Sequence, residues 1–590
     1  MNKEIAMQVF GANISDSVLQ FFRGLFAKDE SYCYVNQAIE ELCGCKSFFP
    51  AEDKLTSFQD ELTMINGFCC AEDRSEYGDF QTNKVLTKAV TELLAEKGIT
   101  PEIVIEPTCG KGNFILASLN SFPTVKQIIG VEIYEPYVWE CKFNIVDYFL
   151  AHPEANKPSI TIYHSNVFGF DFIKLKKQIQ DKDILVIGNP PWVTNSTLGA
   201  LESDNLPNKS NFKKQKGIDA ITGKGNFDIA EYIVLLLIKL FEKTNGYLSL
   251  LLKNTVIKNV VYEQCKNCYH ISNIEEMNID SRKEFNVSVD ASLLLCRFNS
   301  QPSLQCQISN FYDGGLLNRF GWVGNSFYSD IQNERSVNAI DGKCQMEWRQ
   351  GIKHDCSSVM ELEREGNMFR NKLHETIELE ENLVYGILKS SDLKSLIAQK
   401  PKKFTIVTQQ NVGQKTDYIL KYPKTYTYLQ RHIDLFRGRK STIYKKNPDF
   451  SIFGIGDYSF KPYKVAISGL YKTLHFTLVL PDQKPVMLDD TCYFLGFDDL
   501  KSAVAVQVLL NTDEVRSFLQ AITFTDAKRM VTKEALMRID FAKLMKVLDS
   551  KTLVEQANQV LSIVRSDSII EETDFAFISK NYNMQLELFT

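Results

Sequence analysis

Through the first half of the chain, short apolar runs alternate with stretches of helical periodicity. Glu102–Glu106, Ile128–Ile133, Ile160–Tyr163, Ile184–Ile187, Tyr247–Leu252 and Ala291–Phe298 are short, largely apolar runs, the first four rich in β-branched residues and the last two in leucine, and read as strands. Between them, Asn113–Leu119, Pro136–Leu150 and Ile229–Lys243 carry apolar residues at helical spacing. Such alternation predicts an α/β domain over 71–305, a doubly wound, mostly parallel sheet covered on both faces. Little helical pattern separates the last two runs, which predicts an antiparallel last strand. Ahead of this domain, Ser17–Ala27 and Tyr34–Leu42 read as helices, giving an N-terminal helical cap or extension over 1–70. Behind it, Ile308–Phe327 is aromatic and Gly-containing, and Met360–Asn382 is charged with Glu at helical spacing, so 306–382 reads as a connecting region. Residues 383–590 are strand-like to about Ala542, rich in Tyr, Phe, Thr, Val and Lys. They predict a mixed, β-rich domain that ends in an amphipathic helix over Lys543–Arg565.

Composition narrows the class. A chain of 590 residues exceeds what one core holds at roughly 100–200 residues per domain. With 44% hydrophobic and 24% charged residues it has the make-up of a folded protein, not a disordered one. The longest apolar run, Tyr232–Leu240, contains Lys239 and falls short of the roughly 18 residues of a membrane helix. The first residues lack a signal-peptide pattern, and adjacent thiols such as Cys69-Cys70 read as reduced, so a soluble cytoplasmic protein is expected, with no membrane partner. The net charge of −6 excludes a generally basic coat but leaves room for local basic surfaces.

Two segments carry chemistry. In the first, Val104-Ile105-Glu106-Pro107-Thr108-Cys109-Gly110-Lys111-Gly112-Asn113-Phe114, a buried strand ends in a carboxylate, turns through glycines and opens a helix. At the C-terminal end of a parallel strand this makes a crevice where backbone approaches a ligand closely. The next strand ends at Glu132-Ile133, where a carboxylate can accept from two ribose hydroxyls. In the second segment, Ile184–Gly188 runs straight into Asn189-Pro190-Pro191-Trp192. Two prolines stiffen the turn. They hold the Asn189 amide, the Pro190 carbonyl and the Trp192 ring in set directions: two acceptors and one aromatic face, a receptor for a planar amino group.

At these residues the sequence resembles the S-adenosylmethionine-dependent DNA adenine-N6 methyltransferases of the γ arrangement, from type II restriction–modification systems. The resemblance implies a class I methyltransferase-type sheet followed by a DNA target-recognition domain, with S-adenosyl-L-methionine as cofactor. Tyr77-Gly78-Asp79-Phe80-Gln81-Thr82 resembles the family's N-terminal motif, which implies that Phe80 and Thr82 reach the cofactor; Asn83 stands where the family usually has Pro. The carry-over gives Glu106, Pro107, Cys109, Gly110, Gly112 and Phe114 to the cofactor loop, Glu132 and Ile133 to the ribose, and Asn166-Val167 to the cofactor's adenine. Asn226-Phe227-Asp228 resembles the segment on the methionine side, through Phe227. Phe285, in Phe285-Asn286-Val287, resembles the aromatic residue that stacks on the target base opposite Trp192. The implied mechanism flips the adenine out of the duplex. Asn189 and Pro190 then accept its N6 hydrogens, Pro191 stiffens the turn, and Trp192 and Phe285 clamp the ring. No metal is required. Cys265-Lys-Asn-Cys268 with His270 lacks the second pair that a structural zinc site uses.

Two basic segments are candidate DNA contacts. Asn205–Gly225 follows the Asn-Pro-Pro-Trp turn and offers Lys209, Lys213, Lys214 and Lys216 to phosphates. Lys421–Lys446 interleaves aromatics with basic residues, and Arg437, Arg439, Lys440, Lys445 and Lys446 are the proposed readers. Phe453–Lys464 and Leu488–Tyr493 are similar to the strand-rich core of target-recognition domains. The expected partner is double-stranded DNA, with a cognate restriction endonuclease or defence-system subunit beside it. Competing readings are methylation of RNA adenine or of protein glutamine, a non-catalytic DNA-binding module, and a fused nuclease, for which 1–70 is too short and lacks a P-D…[D/E]-x-K constellation.

Overall fold

The computed structural model describes residues 7–27, 31–64, 81–179, 181–193, 228–331, 339–471, 473–524, 529–576 and 578. Phe80, Phe227, Lys209, Lys213, Lys214 and Lys216, and with them the whole Asn205–Gly225 segment, lie outside these residues. The chain divides into two compact units, Met1–Phe327 and Tyr328–Thr590.

The first unit is built on one large sheet. The apolar runs of the sequence become β3 (Ile103–Glu106), β4 (Gln127–Glu132), β5 (Ser159–His164), β6 (Ile184–Gly188), β7 (Gly246–Lys253) and β9 (Ala291–Arg297). All of β3 and β6 is buried, as strands covered on both faces must be. With β8 (Ser272–Ile279), β10 (Gln305–Asn310), β11 (Leu316–Val323) and β12 (Ser326–Tyr328), the order is β12-β11-β10-β8-β9-β7-β6-β3-β4-β5. Pairing is parallel from β5 through β4, β3 and β6 to β7. Strand β9 runs antiparallel between β7 and β8 (Ser272–Ile279). This is the class I methyltransferase-type doubly wound sheet with its antiparallel strand.

The route to that strand differs from the expected one. Between β7 and β9 the chain makes α9 (Asn254–Asn267) and then β8, so substantial structure separates the two runs. The sheet also continues beyond residue 305, through β10 (Gln305–Asn310), β11 (Leu316–Val323) and β12 (Ser326–Tyr328). The connecting region set out over 306–382 is therefore shared by structure of both units.

The N-terminal extension is helical, as α1 (Asp16–Phe26), α2 (Tyr32–Cys43) and α3 (Glu52–Met64), but opens with a hairpin, β1 (Met7–Val9) and β2 (Ala12–Ile14). It is fastened to α6 (Glu135–Ala151) by a buried aromatic cluster: Phe22, Phe48, Phe49 and Phe58 surround Trp139 and Phe143, with ring centroids 4.9–6.4 Å apart. Buried aromatic pairs add about 0.5–1.5 kcal/mol each beyond area burial, so the extension is integral to the unit.

The second unit holds a four-stranded and a six-stranded sheet together with helices. Met360–Asn382 is not helical. Its charged stretch forms β14 (Glu361–Glu365) and β15 (Met368–Asn371), closed by Gly366-Asn367 with Gly366 at φ 63°. Lys421–Lys446 is not strand-like either: it forms α11 (Pro423–Arg431) and α12 (Ile433–Arg437), whose Tyr428, Leu429 and Phe436 enter the core with Phe369 and Phe450. The C-terminal helix is two helices, Phe541–Val547 and Ser550–Ile563, the second restarted by Asp549, which accepts from Thr552 N at 2.9 Å.

Candidate active site

A cleft of about 1030 Å³, partly open to solvent, lies at the carboxyl ends of β3, β4 and β6, where ligands bind in open α/β sheets. Thr82, Glu106, Pro107, Cys109, Gly110, Phe114, Glu132, Ile133, Val167, Asn189, Pro190 and Pro191 all line it. Distant segments of the chain thus meet at one place.

Local geometry explains why the loop after β3 takes its shape. Gly110 and Gly112 sit at φ 50° and 80°, where a side chain is strained. A Cβ on Gly112 would lie 2.5 Å from Cys141 Sγ, so α5 (Asn113–Ser121) can start there only with glycine. Glu132 ties the loop from the neighbouring strand. One carboxylate oxygen accepts from Gly110 N at 2.9 Å and the other from Tyr134 N at 2.8 Å. A carboxylate has about four acceptor positions, so Glu132 keeps capacity for ribose hydroxyls.

Asn189 is held by the motif from the front of the domain. Its Nδ2 donates to Thr82 Oγ1 at 3.2 Å, while the Thr82 carbonyl accepts from Asn113 Nδ2 at 2.8 Å. Thr82 therefore joins the Asn-Pro-Pro-Trp turn to the first turn of α5. Trp192 is buried, with Nε1 donating to Leu251 O at 3.3 Å, and its own carbonyl accepts from Lys253 Nζ at 2.9 Å. Lys253 also pairs with Asp228 at 2.5 Å; burial raises the Asp228 carboxyl and the lysine opposes the rise. This Asp228–Lys253 brace under Trp192 has no signature in the local sequence.

The two clamp aromatics touch. Trp192 and Phe285 lie edge to face, centroids 5.0 Å apart at 66°. A base between parallel rings needs roughly 7 Å, two carbon contacts of about 3.5 Å each, so the rings must part and turn to admit one.

Two expectations are corrected. Asn166 does not line the cleft: its side-chain oxygen accepts from Phe168 N at 2.9 Å and shapes the turn, and Ser165, Val167 and Phe168 present themselves instead. An asparagine that closes its own turn has that oxygen engaged by backbone. Arg439 is not a DNA reader. It is buried and donates to the carbonyls of Phe436, His354, Ser451 and Asp449 at 2.6–3.1 Å, with Tyr444 stacked on its guanidinium at 3.6 Å. Arg437 is exposed and paired with Asp449 at 3.0 Å; Lys440, Lys445 and Lys446 are all exposed. The sequence also understated the cleft: Gln81, Thr108, Asn113, Tyr134, Tyr137, Ile229 and Ile233 line it as well, most of them neighbours of motif residues.

Glu106 carries the clearest electrostatic signature. It is 3% exposed and its Oε2 has no hydrogen-bond partner among the described residues. Burial, then the proximity of Cys141 and Glu132, raises its carboxyl well above the ordinary range. The fold provides a buried acceptor at the cleft and leaves it unused, as a ligand site does. Because the folded-state value is raised, the free protein loses stability as pH rises above the ordinary glutamate range. Glu106→Gln is expected to raise the thermal midpoint of the cofactor-free protein at pH 8 by about 1–2 °C, equivalent to about 1 kcal/mol in a unit that spans Met1–Phe327. The gain should vanish at pH 4, and cofactor affinity should fall. Differential scanning fluorimetry at the two pH values checks this; a lower midpoint at pH 8 would contradict it.

Comparison with known proteins identifies the family. A type II methyltransferase from Nostoc sp. (strain ATCC 29411 / PCC 7524), M.NspV, is 40% identical over 480 residues, covering 80% of this chain and 98% of its own length. The chain belongs to the type II methyltransferases. This methyltransferase is therefore a restriction–modification enzyme that uses S-adenosyl-L-methionine, and the cleft suits that cofactor: Glu132 at a strand end, an unused buried Glu106 oxygen, and glycine backbone between them. No family model matches the chain. Among solved structures, the type IIL restriction–modification enzyme MmeI in complex with DNA aligns with a TM-score of 0.48 and 10% identity over 98% of this chain and 79% of its own. A putative class I S-adenosylmethionine-dependent methyltransferase from Listeria monocytogenes aligns with a TM-score of 0.29 and 13% identity over 50% of this chain and 85% of its own. No helix among the described residues is long and apolar enough to cross a membrane.

Proposed function

We propose that this methyltransferase modifies N6 of an adenine flipped out of duplex DNA. The observation that supports the reading is the Asn189-Pro190-Pro191-Trp192 turn at the end of β6, whose Asn189 and Pro190 are among the residues that line the cleft. When bound, S-adenosyl-L-methionine supplies a methyl group made electrophilic by its sulfonium. Glu132 would hold the ribose, Ile133, Val167 and Phe168 would border the adenine moiety, and Glu106 and Thr82 would face the remainder.

The protein's work is to prepare the amine. Asn189 Oδ1 and the Pro190 carbonyl accept the two N6 hydrogens. Two acceptors draw the nitrogen toward sp³ geometry and keep its lone pair out of the ring. Thr82, bonded to Asn189 Nδ2, fixes which amide atom faces the base. Trp192 and Phe285, once parted, hold the ring by stacking and exclude water. N6 exchanges one hydrogen for the methyl group, and the proton passes to solvent. Most of the rate then comes from positioning and fixed dipoles.

The surface lysines Lys440, Lys445 and Lys446 of the second unit, with Lys209, Lys213, Lys214 and Lys216, supply candidate phosphate contacts. The methyltransferase would act beside a cognate restriction endonuclease or defence-system subunit, in the cytoplasm and on the nucleoid. The test is transfer of labelled methyl to unmethylated genomic DNA, followed by digestion to nucleosides. Label in N6-methyladenine is expected. Label in a methylated cytosine, or in RNA or protein but not in DNA, would overturn the reading.

A further inference from the structure

We infer that the turn between β10 and β11 is a wedge that enters the duplex at the position vacated by the flipped base; the inference rests on the DNA reading above. The turn is stiff. Asn310 Oδ1 accepts from Tyr312 N, Asp313 Oδ1 accepts from Gly315 N, both at 2.8 Å, and Asn310 N donates to Gly315 O at 2.9 Å. It nevertheless presents three large apolar or aromatic side chains to solvent, with Tyr312 at 51%, Leu316 at 50% and Leu317 at 56% exposure. Single exposed apolar residues are ordinary; a group of them on one rigid tip marks a contact surface.

Its place in the fold identifies the contact. The Tyr312 hydroxyl accepts from Asp280 N at 3.2 Å and donates to Glu284 Oε1 at 3.3 Å, spanning the short helix α10 (Ser281–Phe285). Glu284 Oε2 accepts from Asn83 Nδ2 at 3.1 Å, next to the Thr82 that holds Asn189. Phe285 is the following residue and meets Trp192. The tip is thus bolted to the element that carries one wall of the target slot. Exposed cations, Arg282, Lys283 and Arg319, stand on the neighbouring segments beside the acids Asp280, Glu284 and Asp313, with Lys283 Nζ 5.4 Å from the Tyr312 ring centroid.

An apolar tip with cations on the adjoining segments complements one surface beside that slot: a base stack, whose apolar faces meet the leucines and whose phosphates meet the cations. Removing a base from a duplex exposes the faces of its neighbours and leaves its partner unpaired, at a cost of a few kcal/mol. Leucine is among the side chains that other proteins insert between base steps. Here Leu316 and Leu317 would cover the exposed faces, and Tyr312 would transmit the position of the tip to Phe285.

The test uses the full-length protein and duplex oligonucleotides that contain the site mapped by sequencing genomic DNA modified by the wild type. One duplex pairs the target base correctly and the other mismatches it, which lowers the cost of opening. The double substitution Leu316→Ser, Leu317→Ser lies at the exposed start of β11, where it meets the turn, and is expected to leave the thermal midpoint unchanged. Its single-turnover rate should fall about 10–100-fold on the paired duplex and stay within about threefold of wild type on the mismatched one. Leu316→Met with Leu317→Met should restore the paired rate. Wild-type rates on both duplexes, or an equal loss on both, would overturn the wedge. A wild type that transfers methyl to neither would overturn the DNA reading itself, with the wedge falling as its consequence.

Discussion

Asn189→Ala is expected to lower the single-turnover rate of methyl transfer by about 10²–10³-fold, the scale seen when one preorganised polar contact to a reacting centre is removed, and to leave cofactor affinity nearly unchanged. The reasoning starts from the bonds Asn189 makes. Its side chain reaches Thr82 Oγ1 and not the Gly110–Glu132 network, so its loss leaves the loop that frames the cofactor in place. What disappears is one acceptor for the amine, while the Pro190 carbonyl remains. Asn189→Asp provides the control. It keeps an acceptor toward the amine and can accept from the Thr82 hydroxyl, so it should recover to within about tenfold of wild type. Isothermal titration with S-adenosylhomocysteine separates the two effects. If Asn189→Ala loses affinity in proportion to rate, the residue serves the cofactor and not the target base.

This division between neighbouring residues is legible in the sequence because each part is local. The strand-to-helix turn at Glu106–Phe114 and the strand that runs into Asn189-Pro190-Pro191-Trp192 are contiguous stretches, and the parallel sheet brings their ends together by topology alone. Other features need the third dimension. In Lys421–Lys446 the alternation of basic and aromatic residues reads as a surface, yet Tyr428 and Phe436 are core residues. Arg439 is buried because carbonyls from His354 and Ser451, remote in sequence, converge on it. No local pattern announces that convergence. Still other features have a local signal that a stronger pattern masks. Gly366-Asn367 is a hairpin turn signal inside a charged stretch whose glutamate spacing suggests a helix. Val256, Ile257, Val260 and Val261 have the spacing of one helical face, which the polar residues among them conceal. Asn166 belongs to a third kind: its neighbours Ser165 and Val167 line the cleft, and its own side-chain oxygen is turned to its backbone.

Glu132→Ala should have the opposite phenotype to Asn189→Ala, a large loss of cofactor binding. The carboxylate accepts from Gly110 N at 2.9 Å and from Tyr134 N at 2.8 Å, and these bonds connect the loop after β3 to the loop after β4. Hydrogen bonds to a charged group contribute about 1.5–3 kcal/mol each, and a buried donor left without its acceptor bears a desolvation cost besides. Gly110 at φ 50° has no side chain of its own to hold it, so removal of the carboxylate releases the segment that must approach the cofactor most closely. If even one such interaction is missing from the bound state, affinity falls by more than tenfold; without the hydrogen bonds to the ribose as well, a fall of about 10²-fold or more is expected. Glu132→Gln retains one acceptor oxygen and should fall between. The pH dependence distinguishes this carboxylate from Glu106. Glu106 is destabilising when charged in the free protein, so its replacement by glutamine stabilises that state, whereas Glu132 is already bonded to backbone donors and its replacement by alanine must destabilise it. Thermal midpoints of the two cofactor-free variants should therefore move in opposite directions at pH 8. Two neighbouring carboxylates on adjacent strands would then have separate duties, one holding the loop and the other held in reserve for the ligand. If both variants move the same way, that separation fails, and with it the assignment of Glu106 as the acceptor left open for the cofactor.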